Sequence, residues 1–231
     1  MRSRPTSVEE TIQVIQNKTT LKTWNFENWK EKFGEGGARL LAEAFKTNTT
    51  LTTLNLRNSE VGDHGAYQMF VSLQFNLFSK LTKVTLSENH VGNKAVAAIA
   101  AVLKCNRIMK YLDLKVNSIG DEGAICLAEA LEVNSTLENL DLSGNWIADK
   151  GANRIATALT RNYSLVTFFL SKNRITEEGI LNVIRALKRN QGLEEINIRD
   201  NFHCLCTPYC HSQGECFPYK GRFYPIHNHF Q

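Results

Sequence analysis

One stretch of this sequence recurs along the chain: Leu137-Glu-Asn-Leu140-Asp-Leu142-Ser-Gly-Asn145-Trp-Ile147. Copies with the same spacing of apolar residues and asparagine start 28 residues earlier, at Met109, and 28 residues later, at Leu165. Further copies start at Leu51, Leu81 and Leu193, and a degenerate first copy starts at Leu21, with Trp24 and Phe26 in its strand positions. Self-similarity at a fixed period is the signature of a repeat architecture, and the register predicts about six to seven repeats of 28–30 residues.

Each repeat has two halves with different hydrophobic periods. In the first half apolar and polar residues alternate, as around Leu140 and Leu142, which is typical of a half-exposed strand. The second half places apolar residues at i, i+3, i+4 and i+7, as in the stretch from Ala124 to Leu131, which indicates one buried helix face. Each repeat is therefore predicted to be a strand, a turn and a helix.

A single strand-helix unit of this size cannot bury its own apolar face, so the units are expected to stack side by side. Helices are about 10 Å wide and strands about 4.8 Å apart, so the stack must curve. We predict an α/β fold, a curved leucine-rich-repeat solenoid with a parallel sheet on the concave face and helices on the convex face. The repeated asparagine is expected to bond backbone groups of neighbouring coils that would otherwise be buried unpaired; it occupies positions 89, 117, 145, 173 and 201.

These repeats resemble the ribonuclease-inhibitor-like class of leucine-rich repeats. Similar repeats occur in ribonuclease inhibitor, in the Ran GTPase-activating proteins and in the sensor region of NLR immune receptors. The sequence Ile119-Gly-Asp-Glu-Gly-Ala-Ile-Cys-Leu-Ala-Glu-Ala-Leu131 most resembles the repeats of the NLR type. The resemblance covers roughly residues 7 to 201, and it implies the fold without implying one function, because this class serves many partners.

The repeats and the C-terminal segment are expected to be two different parts of the chain. Residues 1–203 are predicted to form the leucine-rich-repeat domain, which opens on the capping-box pattern Ser7-Val-Glu-Glu10. That first helix is either a cap or part of a longer parent architecture. Residues 204–231 are rich in cysteine and aromatic residues, carry no repeat, and are predicted to be irregular or disordered.

The C-terminal segment contains the candidate metal ligands Cys204, Cys206, Cys210 and Cys216, with His211 as a substitute for one of them. Their spacing does not match the C-x₂-C pairs of most zinc sites. A disulfide-linked cap is the second alternative, and an irregular end is the favoured one. We therefore predict no metal centre and no cofactor.

Two patterns that suggest ligand or modification sites are explained better by the repeat itself. Gly34-Glu-Gly36-Gly37 aligns with Gly120-Asp-Glu-Gly123, which indicates a turn into a helix where aspartate can cap, instead of a phosphate loop. Glycosylation sequons at Asn17, Asn48, Asn134 and Asn162 recur at the ends of repeat helices, which indicates a structural role. No serine or cysteine nucleophile has a locally placed base, so the chain is predicted not to be an enzyme.

Composition and charge narrow the class of partner. The 231 residues are 42% hydrophobic and 22% charged, with a formal net charge of +4. This weak charge gives no electrostatic reason to expect nucleic acid or membrane, and no stretch approaches the roughly 18 to 20 apolar residues of a membrane span. The N-terminus lacks the apolar stretch of a secretory signal, so the cytoplasm is the expected compartment.

Strand parity places repeat positions 3, 5 and 7 on the open side of the sheet. Exposed aromatic residues and arginine most often dominate protein interfaces, and acid is concentrated at Asp113 and Asp141. The alternative for the aromatic residues is packing on neighbouring strand residues. The predicted protein-binding residues are Arg57, Lys83, Tyr111, Asp113, Asn139, Asp141, Phe169 and, in the loop beside the strands, Trp146.

These features favour a non-catalytic interaction module or scaffold that binds a protein partner across the concave face. One alternative is a small-GTPase regulator resembling the Ran activators, for which Arg57 and Arg174 lie near strand ends, although that family's acidic tail is missing. Another is a sensor-type fragment related to NLR receptors, although the chain lacks a nucleotide-binding module. A monomer is expected, or a dimer formed through the strand edge near Leu193 to Ile198.

Overall fold

The computed structural model describes residues 21–29 and 33–201, and in these the strands and helices alternate strictly. The strands are β1 Thr23–Asn25, β2 Thr53–Asn55, β3 Lys83–Thr85, β4 Tyr111–Asp113, β5 Asn139–Asp141, β6 Thr167–Phe169 and β7 Glu195–Asn197. The helices are α1 Gly34–Phe45, α2 Gly62–Gln74, α3 Asn93–Cys105, α4 Asp121–Leu131, α5 Asp149–Leu159 and α6 Glu177–Leu187. The predicted succession of strand, turn and helix is confirmed.

The seven strands form one parallel sheet in chain order, β1 to β7. The register is the same at every step, so that Val84, Leu112 and Leu140 pair across three neighbouring strands. Among the described helices, each packs only on its neighbours in the chain. Because packed helices stand farther apart than paired strands, the stack curves with the sheet inside. The predicted leucine-rich-repeat α/β solenoid is therefore the observed fold.

The core runs continuously between the sheet and the helices. The middle residue of each strand is buried, and the predicted helix spacing holds, as at Leu127 and Leu131. In α6 the rule holds only in part, because Ile184 and Leu187 are partly exposed. Among the described helices α6 packs against α5 alone, so one side of its apolar face has no helix over it.

The degenerate first copy also folds as a coil, with aromatic residues in place of the usual leucines. Trp24 and Phe26 are buried, as their strand positions predicted. Their rings meet edge to face with centroids 5.3 Å apart, and Phe33 lies 5.0 Å from Phe26. Aromatic pairs at such separations add attraction beyond the area that they bury, so this cluster closes the described N-terminal end of the core.

The repeated asparagine satisfies the buried backbone where each strand turns away. Asn145 Nδ2 donates to the carbonyl oxygens of Leu114 and Leu142, each at 3.0 Å, and its Oδ1 accepts from the amide of Ile119 at 3.1 Å. The predicted role of this side chain is confirmed, and equivalent bonds occur at Asn89, Asn117, Asn173 and Asn201. In the second coil Ser59 takes the position and donates to the carbonyl of Phe26 at 2.6 Å.

A second asparagine ladder follows the ends of the helices. Asn134 is buried, and its Nδ2 donates to the carbonyl oxygens of Leu103 at 2.8 Å and Asn106 at 3.2 Å. Its Oδ1 accepts from the amide of Leu137 at 2.8 Å. Asn162 repeats this arrangement one coil later. These two sequons therefore have the structural role that was predicted, because the amide that a glycan would occupy links two coils.

The aspartate in the turn before each helix acts differently from the expected cap. Asp121 makes no capping bond to its own helix α4. Its Oδ1 instead accepts from the amides of Ala148 at 2.8 Å and Gly151 at 2.9 Å, at the start of α5 in the next coil. A Cβ on Gly151 would lie 2.7 Å from that oxygen, which explains the glycine. The capping thus runs between coils.

Several predictions lie outside the described residues. They concern the boundary at residue 203, the C-terminal segment 204–231 with Cys204, Cys206, Cys210 and Cys216, the capping box at Ser7 and the sequon at Asn17. In the part of the chain that is described, no helix is both long and apolar enough to cross a bilayer.

Candidate functional site

The candidate site lies on the concave face, where each short strand buries its middle residue and presents the first and third to the open side. Along β4, β5 and β6 these outer residues are Tyr111, Asp113, Asn139, Asp141, Thr167 and Phe169. All of them are partly exposed. Position 7 is less accessible than predicted, because the serines there, Ser87, Ser143 and Ser171, are buried.

An acidic pair lies at the middle of this face. Asp113 and Asp141 are register partners on β4 and β5. Each carboxylate accepts the backbone amide two residues ahead, at 2.9 Å from Lys115 and 2.8 Å from Ser143. Neither forms an ion pair with any described residue. The two negative charges therefore lie side by side on adjacent strands, a placement that destabilises a sheet.

Burial raises the pKa of the Asp113 carboxyl, and the negative charge of Asp141 raises it further. The amide of Lys115 and the hydroxyl of Ser87 oppose this shift by hydrogen bonding to the ionised form. The pKa of Tyr111 is also raised, first by burial and then by Asp113 and Asp141. This part of the surface consequently favours any group that brings positive charge.

Two aromatic side chains flank the acidic pair. Tyr111 lies beside Asn139 in the register, and Lys83 Nζ stands 4.2 Å from the centre of its ring. Phe169 is the register partner of Asp141 on the other side. The predicted residues Lys83, Tyr111, Asp113, Asn139, Asp141 and Phe169 are thus brought together on four adjacent strands.

The loops that follow the strands extend this surface. Trp146 is 51% exposed, and the guanidinium carbon of Arg174 lies 5.2 Å from its ring. Val116, 46% exposed, adopts a left-handed backbone with φ of 52°, which is unfavourable for a β-branched residue. These three residues form an apolar and cationic rim beside the acidic pair.

Arg57 belongs to a separate cluster. Its guanidinium lies 2.8 Å from Glu88 Oε1 and 3.6 Å from Glu27 Oε1. The hydrogen bond and the charge of Glu88 raise the pKa of Arg57. It is two coils away from Asp113, whose charge raises the pKa of Arg57 less than the nearer Glu88 and Glu27 do, so it contributes to the rim of the concave face instead of its centre.

Two residues of the rim, Arg174 and Val116, were not among the predicted protein-binding residues, although Arg174 was named for the small-GTPase alternative. The stacking of Arg174 on Trp146 has a simple signal, because the two residues are 28 positions apart and share one repeat position. The left-handed position of Val116 is occupied in the other coils by Asn28, Asn58, Glu88, Gly144, Lys172 and Asp200, all with positive φ, and Val116 is the only β-branched residue among them. Reading that position across the coils would have marked Val116 as unusual.

Within 21–29 and 33–201, no group of three or more histidine, cysteine, aspartate or glutamate side chains could hold a metal ion. Cys105 and Cys126, the cysteines of this part of the chain, are free thiols.

Comparisons with known proteins agree with this geometry. The family described as Leucine Rich repeat matches residues 47–69, 105–128 and 133–156. No curated protein matches the sequence significantly. Among solved structures, the tropomodulin C-terminal domain of Caenorhabditis elegans is 18% identical with a TM-score of 0.51, over 80% of this chain and 93% of that chain. Leiomodin-1 Actin-Binding Site 2 is 20% identical with a TM-score of 0.48, over 81% of this chain and 91% of that chain.

The chain therefore carries leucine-rich repeats and folds as an α/β leucine-rich-repeat solenoid. At these identities the likeness to solved structures concerns the fold alone, and function has to be argued from the surface.

Proposed function

We propose that this chain is a non-catalytic interaction module that binds a protein partner on its concave face, at β4 to β6. Solenoids of this kind offer an extended concave surface to their partners. Tyr111 and Phe169 supply large, half-exposed aromatic contact area there, and aromatic residues are frequent among those that dominate interfaces. Asn139 lies between them as a polar contact.

The observation that carries this proposal is the acidic pair Asp113 and Asp141, side by side with no described lysine or arginine in ion-pair contact with either carboxylate. The charge of Lys115 acts on Asp113 without forming such a contact, and it opposes the rise in the pKa of Asp113 only in part. A partner that places a lysine or arginine between the two carboxylates would relieve their repulsion and gain attraction from both. We therefore infer that the partner presents a basic side chain, flanked by groups that pack on the aromatic rings.

The rim beside the acidic pair extends the proposed contact. Trp146 and Arg174 form a stacked pair on the loops that follow β5 and β6, and both residue types are enriched among interface hot spots. Lys83, held over the ring of Tyr111, borders the opposite side. Arg57 is engaged by two carboxylates, so no observation favours its use as a catalytic arginine in a small-GTPase regulator.

Two finer statements accompany the proposal. The repeat type is inferred to be ribonuclease-inhibitor-like, and it is supported by the full α-helix of 11 to 13 residues that follows each strand. A cytoplasmic setting is inferred as well. It is supported by the free thiols of Cys105 and Cys126, since thiols stay reduced in that compartment.

The test is affinity capture from native cells with the intact chain and a Tyr111→Ala/Phe169→Ala variant. The control is Tyr163→Ala/Leu181→Ala, which removes two exposed apolar side chains away from the concave face. A partner held by the wild type and the control should bind the first variant at least about thirty-fold more weakly, the effect of losing one hot spot. Equal capture by all three proteins would move the site elsewhere.

The inferred charge of the partner is tested by replacing both carboxylates. Asp113→Asn/Asp141→Asn keeps the side-chain shape, so the captured partner should bind more weakly and with a smaller dependence on salt. Unchanged affinity and salt dependence in this variant would contradict a basic contact while leaving the aromatic contact intact.

A further inference from the structure

The loop between α2 and β3 is longer than the equivalent loops of the other described coils. From the asparagine that follows each helix to the first residue of the next repeat, the distance is three positions, as from Asn134 to Leu137. From Asn76 to Leu81 it is five positions. The five described coils with the short loop show that the fold does not need the two additional residues.

The longer loop exposes three large apolar side chains. Phe75 is 77%, Leu77 87% and Phe78 77% exposed. These are the three most exposed of the large hydrophobic residues that the structure describes. Clustered apolar exposure on a folded surface marks a site that contacts another molecule.

The loop is held in place although its apolar side chains are free. Asn76 Nδ2 donates to the carbonyl oxygens of Phe45 and Asn48, both at 2.7 Å. Asn76 Oδ1 accepts from the amide of Phe78 at 3.1 Å. The backbone therefore presents the side chains outward from a fixed base, instead of folding them over the core.

Two basic side chains lie in this loop and in the equivalent loop of the next coil. Lys80, in the same loop, is exposed and forms no ion pair with the described residues. In the next loop the guanidinium of Arg107 donates only to backbone carbonyls, those of Lys104 and Asn106, each at 3.1 Å. Both charges are left without a neutralising carboxylate.

We propose that this loop, residues 75–80, binds the surface of an anionic lipid bilayer. Phe75, Leu77 and Phe78 enter the boundary between headgroups and acyl chains, and Lys80 and Arg107 contact the headgroups. Apolar side chains next to basic ones are what binds peripheral proteins to anionic membranes. The low net charge of the whole chain predicted no membrane partner, but this local cluster is not visible in a net charge.

A bilayer suits this loop better than a protein groove does, because its side chains project separately from a loop tip and form no walls. The geometry is also compatible with the proposed protein contact. The loop precedes β3 and so lies at the amino-terminal ends of the parallel strands. Trp146 follows β5 and so lies at their carboxyl-terminal ends. A chain bound to a bilayer through this loop keeps its concave face open.

The test is co-sedimentation of the intact chain with vesicles of phosphatidylcholine, with and without phosphatidylserine. The principal variant is a deletion of Leu77 and Phe78, which leaves Asn76-Ser79-Lys80-Leu81 and so restores the short loop. Its control is Leu181→Ser, which removes an exposed apolar side chain from helix α6. Circular dichroism melts of all variants verify that each is folded.

The intact chain and the control are expected to sediment with the phosphatidylserine vesicles, and at least ten-fold less with phosphatidylcholine alone. The deletion should lower the sedimented fraction at least ten-fold, and Lys80→Glu/Arg107→Glu should lower it at least five-fold. Failure of the intact chain to bind either vesicle would overturn the proposal, as would equal binding by the deletion variant. If the intact chain binds no vesicle, and a protein captured by the intact chain is lost from the deletion variant, the loop is a protein-binding site instead of a membrane-binding site.

Discussion

At the scale of a single residue, Asp113 combines a structural cost with a proposed use. Its carboxylate is partly buried and adjacent to Asp141, and both conditions raise its pKa. A group whose pKa is raised by folding is less favourable in its charged form in the folded state than in the unfolded state. The folded chain therefore tolerates a charge that does not stabilise it, as expected of a residue retained for binding.

Asp113→Asn is expected to raise the urea midpoint of unfolding at neutral pH. The amide keeps an oxygen for the Lys115 amide and the Ser87 hydroxyl but removes the buried charge. Because the folded-state pKa lies above the ordinary value of 3.8, the cost of the carboxylate is complete above the folded pKa and disappears below 3.8. Midpoints measured from pH 7 downward should thus converge for the two proteins, and a less stable variant at neutral pH would contradict the argument.

Val116 shows a second cost at residue scale. A β-branched side chain in the left-handed region is strained by roughly 1–2 kcal/mol, yet the chain keeps it at an exposed position beside Gly144 and near Trp146. The same backbone recurs at this position in the other coils, including Glu88 and Lys172. The repeat turn therefore imposes the conformation, and Val116 is the residue least suited to it.

At the scale of elements, helices α3 to α6 each depend on the coil before them. Asp63, Asn93, Asp121 and Asp149 each accept backbone amides at the start of the following helix. The helix N-terminus has unpaired amides and a positive dipole end, and a carboxylate from outside satisfies both. The start of a helix is therefore stable only when two coils are stacked.

Asp121→Ala is expected to lower the free energy of unfolding by about 1–2 kcal/mol, the usual value of a helix cap. Hydrogen exchange should increase at the first turn of α5, where the bonded amides of Ala148 and Gly151 lie, and not at the first turn of α4, which contains the substitution. Asp121→Asn is the matched control, because Asn93 performs the same function in the preceding coil. Faster exchange confined to α4 would show that capping is local.

At the scale of the whole molecule, stability is transmitted only from coil to coil. In the described part of the chain every helix and strand contacts its immediate neighbours and no others. The free energy of unfolding of such a stack is close to the sum of the intrinsic stabilities of the coils and the interaction energies between neighbouring coils. The asparagine ladder contributes to these interaction energies, because each Nδ2 reaches the carbonyl of the preceding coil.

Asn145→Ala should weaken a central interface. The loss leaves the amide of Ile119 without its partner, at a cost of about 1–3 kcal/mol for a buried group left unpaired. The carbonyls of Leu114 and Leu142 each lose one bond but keep a second, from Asn117 and Asn173. The urea transition is expected to shift down and broaden as the two halves uncouple. Asn139→Ala, a surface change on the adjacent strand, should alter stability by less than about 0.5 kcal/mol, and equal effects of the two substitutions would contradict the ladder's role.

The sequence by itself determined the solenoid. The 28-residue period, the alternation around Leu140 and the helix spacing around Leu127 predicted every described strand and helix, because hydrophobic period is a local property of residue type and spacing. The outer strand positions followed from the same alternation, so Tyr111, Asp113, Asp141 and Phe169 could be placed on one face.

The tertiary structure decided what depends on contacts between coils. It assigned the Asp121 carboxylate to the next helix, gave Arg57 its two carboxylate partners, and placed Arg174 over Trp146. It also showed that the long loop leaves Leu77 and Phe78 in solvent. These features join residues about one repeat apart or depend on what covers a side chain, and both are consequences of stacking geometry that a local pattern does not contain.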